Sequence, residues 1–256
     1  MMSQREDSQE YKQRRSFFNS LITLYGRNVV EEVLSDTTIN IHKLHLSKSN
    51  KSDKKLDAMI KDALSRDIEI VYHDKSGLSR ISKNAKQDQG IAIDVATTSY
   101  KSSDDIEKNY HDSYRLLALD GIQNPQNLGM IIRSAAAGNI DGIILPRKSS
   151  AKLSPLVMKA SAGTLFKIDI FYCDTLETVF KNLDSDTKVY ALSSHAKETI
   201  HTVKASKKSI FVLGNESDGV TPEVIKQCNS SLSIPMNRGV ESLNVAVTAS
   251  LIAFMK

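Results

Sequence analysis

Arg133 is the side chain of this 256-residue sequence whose surroundings best suit it to act on a reacting group. It interrupts an otherwise apolar stretch, Leu128-Gly129-Met130-Ile131-Ile132-Arg133-Ser134-Ala135-Ala136-Ala137. A lone guanidinium in such a helix either pairs with a carboxylate or reaches into a site. In a site it can grip phosphate and stabilise developing oxyanion charge while keeping its own proton. Asn127, at the start of the same helix, either caps it or orients a ligand. Two glycine-bearing loops lie further on, Leu213-Gly214-Asn215-Glu216-Ser217-Asp218-Gly219 and Ile234-Pro235-Met236-Asn237-Arg238-Gly239. Loops of this kind gather backbone N–H and C=O groups at one spot, which suits a small polar cofactor. Glu216 is either a turn carboxylate or a partner for Arg133 or a substrate hydroxyl. Ser242 either caps the last helix or faces the site, and Asn244 falls in that helix's first turn. Taken singly, Gly214 reads as a strand-ending turn, and Ile234 and Leu243 as core.

The elements that must position these groups follow from periodicity. In the first part of the chain, helices are expected over Tyr25–Leu34, Leu56–Arg66 and near Leu78–Ser82. Strands are expected over Ile41–Leu46, Ile68–Tyr72 and Gly90–Val95. Residues 1–20 read as a polar flexible lead, 21–96 as a small α/β domain, and 97–114 as a Ser-, Asp- and Lys-rich linker. From 115 to 256 strands and helices alternate strictly. Strands are expected at Leu116–Leu119, Gly142–Leu145, Phe166–Phe171, Val189–Leu192, Ile210–Leu213 and Leu232–Ile234. Helices are expected at Asn127–Ala137, Pro155–Ala160, Leu176–Asn182, Pro222–Gln227 and Leu243–Phe254. Gly138 is placed to end its helix in the left-handed conformation. Alternation of this kind implies an α/β fold with a parallel sheet, whose ligands bind at the carboxyl ends of the strands. No G-x-G-x-x-G follows any strand, so an ordinary dinucleotide fold has no support.

Composition narrows the function class. The net charge is +4, with 18 basic and 18 acidic side chains in residues 1–114 and 16 against 12 in residues 115–256. The excess lies in the half with the glycine loops and permits a phosphate-bearing partner. No apolar run is long enough to span a membrane. The start of the chain is charged and lacks a signal peptide's apolar stretch, so a cytoplasmic location is expected. Cys173 and Cys228 are isolated and read as buried thiols in a reducing interior. His42 and His45 would point to opposite faces of a strand, so no metal site is expected. Lys48, Lys51, Lys54 and Lys55 form a basic loop that either follows a nucleic-acid backbone or is merely solvated.

In order and spacing, the segments Leu119–Ala135, Phe211–Gly219 and Ser233–Val247 resemble the three motifs of the TrmH-type (SpoU) branch of the SPOUT methyltransferases. The resemblance covers residues 115–256. Over 21–96 it is weaker, where Leu24-Tyr25-Gly26-Arg27-Asn28-Val29-Val30 and Gln89-Gly90-Ile91-Ala92 look like edges of a ribosomal-protein-like (L30e-like) RNA-binding domain. The resemblance implies a C-terminal trefoil knot and S-adenosyl-L-methionine as cofactor. It also implies methylation of a ribose 2′-OH in RNA, ribosomal RNA ahead of transfer RNA and guanosine ahead of other nucleosides. Homodimers with the site near the subunit interface are expected. The motifs assign catalysis to Arg133, Asn127, Glu216, Ser242 and Asn244, with Arg133 either the base for the ribose hydroxyl or, as its high intrinsic pKa favours, a charge that grips phosphate and stabilises the alkoxide. Cofactor binding falls to Leu213, Gly214, Asn215, Gly219, Ile234, Met236 and Leu243, and RNA contact is assigned to Lys48, Lys51, Lys54 and Lys55. A transfer-RNA ribose methyltransferase, a base-directed enzyme of another SPOUT branch and a non-catalytic RNA-binding or ribosome-assembly protein are the competing expectations.

Overall fold

The structure, a computed structural model, describes residues 21–83, 87–96, 100–204 and 206–255. The chain divides into two units, 1–98 and 99–256.

The first unit runs β1 (Leu21–Tyr25), α1 (Arg27–Ser35), β2 (Ile41–Ser47), α2 (Lys54–Ser65), β3 (Glu69–His73), α3 (Lys75–Ser82) and β4 (Ile91–Ala96). Its sheet has the order β1-β4-β2-β3, with β2 and β3 parallel and the other pairs antiparallel. Tyr25, expected to open a helix, instead ends a strand in which Ile22 and Leu24 are buried. Gly26, at φ 93°, makes the turn that separates that strand from α1. The segments Leu24–Val30 and Gln89–Ala92 meet, because Gly26 N–H donates to Ile91 C=O at 3.1 Å and Arg27 N–H to Gln89 Oε1 at 2.9 Å. The basic loop is shorter than expected. Asp53 caps α2 by accepting from the Lys55 and Leu56 N–H groups, so Lys54 and Lys55 lie in the first helical turn.

The second unit starts inside the expected linker. Tyr100–Ser102 forms β5, a short 3-10 turn follows, and Ile106–Asn109 is α4. Few residues here are apolar, but they are the ones that dock: Ile106 is fully buried and Tyr110 packs against the same core cluster. Tyr110 Oη also donates to Asp169 Oδ2 at 2.7 Å. The unit continues with β6 (Tyr114–Leu119), α5 (Pro125–Ala137), β7 (Gly142–Pro146), α6 (Pro155–Ser161), β8 (Asp169–Cys173), α7 (Leu176–Lys181) and β9 (Lys188–Leu192). It ends with β10 (Glu198–Thr199), β11 (Lys208–Leu213), α8 (Pro222–Ile225), β12 (Ser230–Ser233) and α9 (Val245–Ala253).

Every strand pair of the eight-stranded sheet, ordered β10-β12-β9-β11-β6-β7-β8-β5, is parallel. The sheet is consistent with the trefoil knot that the resemblance implies. All six residues of β11 are buried, as expected of a central parallel strand covered on both faces. Strand β8 begins at Asp169 rather than Phe166, because Ala162 and Gly163 are left-handed and turn Thr164–Phe166 into a 3-10 segment. Gly138 is extended, not left-handed, at φ −106°. Its glycine has a packing cause: a Cβ there would lie 2.5 Å from the Ala253 carbonyl oxygen. Helix α9 therefore runs close beside α5, joined also by Ser134 Oγ and Ser250 Oγ at 2.8 Å.

Candidate active site

Three chain segments meet where β6 and β11 end. Asp120, just after β6, donates its N–H to Leu213 C=O at 2.8 Å and accepts from Thr221 N–H at 2.7 Å. It thereby fixes both ends of the loop after β11. That loop closes on itself, with Asn215 and Gly219 exchanging backbone hydrogen bonds of 3.2 and 3.1 Å. A Cβ on Gly214 would lie 1.9 Å from the Gly219 carbonyl carbon, so the glycine is demanded by the loop's own closure. Asn215 Oδ1 accepts from the Ser217 and Asp218 N–H groups, and the turn holds Glu216 outward.

Glu216 is the centre of a polar cluster. Its Oε1 accepts from Asn127 Nδ2 at 2.6 Å and from Asn244 Nδ2 at 2.8 Å, and Asn244 Nδ2 also lies 3.2 Å from Asn127 Oδ1. Helix α5 supplies Asn127, which is buried, and the N-terminus of α9 supplies Asn244. Neither asparagine sits where its local sequence placed it. Asn124 is the cap of α5, accepting from Gln126 N–H, so Asn127 lies a turn inside with its amide free to point at Glu216. Asn244, not Ser242, caps α9, with Oδ1 accepting from Ala246 N–H at 2.9 Å. The cap fixes the side chain so that its Nδ2 faces the cluster. Glu216 Oε2 makes no hydrogen bond among the described residues.

A cavity of about 390 Å³ opens beside this cluster. Its lining includes Ile122, Gln123, Asn124, Asn127, Glu216 and Asp218. Gln123, Asn124 and Asp218 were missed from the sequence. They belong to the same strand-end loops as Asn127 and Glu216, and that placement is the signal that could have found them.

The remaining expected residues fall outside the cluster. Arg133 is exposed and has no ion-pair or hydrogen-bond partner among the described residues. It lies six residues beyond Asn127, so at roughly 100° per residue the two side chains leave α5 about 120° apart. Ser242 is exposed and bonds to none of the cluster. Of the expected cofactor residues, Asn215 lines the cavity, whereas Leu213, Gly214, Gly219, Ile234, Met236 and Leu243 do not. Leu213 is buried at the end of β11. Ile234 and Met236 are half-buried on a loop whose residues 234–243 share one backbone hydrogen bond, Val240 N–H to Asn237 C=O at 3.2 Å. In the first unit Lys55 Nζ pairs with Glu31 Oε2 at 2.6 Å, which removes it from the set of free cations, while Lys48, Lys51 and Lys54 remain exposed.

The histidines are less scattered than they read. His45 Nδ1 lies 3.0 Å from His73 Nε2, and its Nε2 lies 3.0 Å from Asp94 Oδ2. No group of three or more metal-binding side chains occurs among the described residues. Burial pushes the thiols of Cys173 and Cys228 up to about 12, so neither is a thiolate at neutral pH.

The model of the SpoU rRNA Methylase family matches residues 114–254, and that of the RNA 2′-O ribose methyltransferase substrate-binding domain matches residues 23–101. An uncharacterized tRNA/rRNA methyltransferase of Mycolicibacterium gilvum (strain PYR-GCK) is 30% identical over 231 residues, which cover 89% of this chain and 73% of that protein. The SpoU methyltransferase AviRb from Streptomyces viridochromogenes, crystallised with AdoMet, has TM-score 0.70 at 18% identity, covering 96% of this chain and 91% of that one. The AdoMet-bound rRNA methyltransferase from Sinorhizobium meliloti has TM-score 0.68 at 22% identity, covering 95% and 89%. These likenesses show the fold. With the two family matches and the mycobacterial relative, they place this chain in the SpoU rRNA Methylase family, as a TrmH-type SPOUT RNA methyltransferase with an N-terminal substrate-binding domain.

Proposed function

We propose that the protein transfers the methyl group of S-adenosyl-L-methionine to a ribose 2′-hydroxyl, acting on ribosomal RNA ahead of transfer RNA and on guanosine ahead of other nucleosides. The observation that carries this reading is the Asn127–Glu216–Asn244 cluster at the cavity edge. A ribose hydroxyl needs an acceptor for its hydrogen in a fixed place. Two amides hold Glu216 by one oxygen and leave the other open to accept that hydrogen. The Asp218 carboxylate at the same cavity supports guanine, whose Watson–Crick edge offers adjacent N1–H and N2–H donors.

The residues around the two glycine loops fit the cofactor. Gly219 is left-handed, and a Cβ there would meet nothing within 4 Å, which leaves room for a bound molecule against the backbone. The loop over residues 234–243 keeps most backbone groups out of protein hydrogen bonds. When bound, the cofactor supplies an electrophilic methyl. Leu213, Gly214 and Asn215 would shape one wall of its site, Ile234, Met236 and Leu243 the other.

The reading extends to a cytoplasmic homodimer. Met130 on α5, Val247 and Leu251 on α9, and Phe254 just after α9 are 40%, 47%, 40% and 60% exposed, an apolar stripe along neighbouring helices that a second copy would cover. Arg133 leaves α5 on the same exposed side as Met130. Its position supports a site completed by the dimer, in which one subunit's guanidinium stabilises the alkoxide forming beside its partner's Glu216 cluster.

The test is to incubate the protein with methyl-labelled cofactor and, separately, ribosomal and transfer RNA from cells lacking it, then digest to nucleosides. Ribose-methylated guanosine from ribosomal RNA is expected. A methylated base would instead indicate a base-directed enzyme, and no incorporation a binding protein.

A further inference from the structure

Between Asp141 and Asp169 the chain carries Arg147, Lys148, Lys152, Lys159 and Lys167 and no carboxylate. All five cations are exposed, and none forms an ion pair with a described residue. The contrast within the same unit is sharp, since Lys101 and Lys208 are neutralised by carboxylates at 2.6 and 2.7 Å. Unneutralised like charges side by side repel one another, and an anionic partner relieves that repulsion.

Arg147, Lys148 and Lys152 share the loop between β7 and α6, at the carboxyl end of a parallel strand. Both ends of the loop are pinned. Arg147 N–H donates to Cys173 C=O at 3.0 Å, and Ala151 N–H donates to Ile122 C=O at 2.8 Å. Ile122 lines the cavity that holds Asn127 and Glu216, so the second pin ties the basic loop to the rim of the site. The Arg147 guanidinium carbon sits 4.6 Å from the centre of the Tyr172 ring, which braces the cation on an aromatic face. Cations on a backbone fixed in advance lose less freedom on binding than cations on a free loop.

We propose that the Arg147–Lys152 loop grips phosphates of the RNA strand beside the nucleotide held in the cavity. This rests on the RNA methyltransferase reading and deepens it: the catalytic unit itself sets the register of the strand, independently of the Lys48–Lys55 segment of the first unit. The loop touches no reacting atom and acts by positioning.

The experiment compares two double charge reversals in the full-length protein, Lys148→Glu with Lys152→Glu on this loop, and Lys181→Glu with Lys188→Glu elsewhere on the same unit. Ribosomal RNA from cells lacking the protein is the probe. The loop variant should bind it at least about tenfold more weakly. Its salt dependence should be shallower by about 1.4–1.8, at roughly 0.7–0.9 for each lost phosphate contact. KM for RNA should rise while kcat stays within about twofold, and cofactor affinity by calorimetry should not move. Lys148→Arg with Lys152→Arg should restore binding, because the charge is what the phosphate reads. The control pair should stay within about twofold of wild type. Equal affinities and salt slopes for the two reversals, or a fall confined to kcat, would overturn the proposal. If the wild-type protein transfers no methyl group, the functional reading fails, and the binding comparison still decides the role of the loop.

Discussion

Each unit of the molecule contains a small polar cluster built across several elements, and the two differ in what they leave over. In the first unit Thr23, Asp94, His45 and His73 form a chain across all four strands: Thr23 Oγ1 donates to Asp94 Oδ1 at 2.6 Å, His45 joins Asp94 Oδ2, and His73 joins His45. Both carboxylate oxygens and both nitrogens of His45 are engaged, and His45 is buried. In the second unit Glu216 spends one oxygen on two amides and keeps the other free at a cavity. A part-buried cluster whose carboxylate and central imidazole are fully engaged holds a sheet together, and a substrate would have to break it. A carboxylate that is fixed but half-satisfied is ready to accept something more. The two carboxylate-centred clusters thus differ in one atom: the first leaves no carboxylate oxygen over, and the second leaves one oxygen of Glu216 unpaired at a cavity.

The largest expected effect lies on the catalytic side. Arg133→Ala should lower methyl transfer roughly 100-fold or more, the scale of losing one preorganised charge. Because Arg133 is exposed and unpaired, thermal stability and cofactor affinity should barely change. Arg133→Lys should also fail largely, since lysine lacks the planar fork. A mixed dimer of an Arg133→Ala subunit with a Glu216→Ala subunit sharpens the point. Recovered transfer means that the two residues act across the interface; no recovery means that they must share a chain.

A second effect separates the folded segment 100–112 from a mere connection. A fragment beginning at Ser113 loses the buried Ile106 and the Glu107 carboxylate that lies 3.2 Å from Lys208 Nζ. Burial of an isoleucine alone is worth about 1.5–3 kcal/mol. That fragment should therefore melt well below one beginning at Ser99, whereas equal melting would return the segment to the status of a linker.

On the other side of the comparison, His45→Ala should cost about 1–3 kcal/mol of stability in the first unit by leaving Asp94 short of a partner. Cofactor binding should be unchanged. A variant that instead lost methyl transfer on cofactor and RNA while remaining stable would erase the distinction between the clusters.

The smallest effect is a pH dependence of the first unit. Burial, then the nearby His45, push the His73 imidazole below its ordinary value of 6.5. The unfolded chain takes up that proton first, so the contribution is full above pH 6.5 and declines as pH falls below it. Burial works to raise the Asp94 carboxyl, but hydrogen bonds from His45 and Thr23 hold it below its ordinary 3.8. Its stabilisation is present above that value and is lost on further acidification through its lowered folded value. The melting temperature should fall gently below about pH 6.5 and steeply near pH 4 and below. His73→Asn should flatten the first slope and Asp94→Asn the second.

Much of this was legible in the sequence where the signal is local. The alternation after residue 115 gave the parallel sheet, and the resemblance to the three motifs named Asn127, Glu216 and Asn244 together. What escaped was whatever depends on distant partners. Gly138 looks like a helix terminator, yet its cause is Ala253, far along the chain and against it in space. Ser242 and Asn244 are both good caps, and only the docking of α9 on α5 selects Asn244. Lys54 and Lys55 read as loop because the cap at Asp53 is a single side chain in a polar run. The segment after residue 99 read as a linker because two apolar side chains, Ile106 and Tyr110, were enough to dock it. His45 and Asp94 are 49 residues apart and meet through strand order alone.

In the proposed reaction Glu216, held by Asn127 and Asn244, presents its free oxygen to a ribose hydroxyl. This role is tested most directly by mass spectrometry of nucleosides from ribosomal RNA treated with wild-type protein or with Glu216→Ala, with cofactor affinity measured in parallel. Ribose-methylated guanosine is expected with the wild type, at least about 100-fold less with the variant, the scale of removing one preorganised group, and the same cofactor affinity for both. A base-methylated nucleoside, or a fully active Glu216→Ala protein, would contradict it.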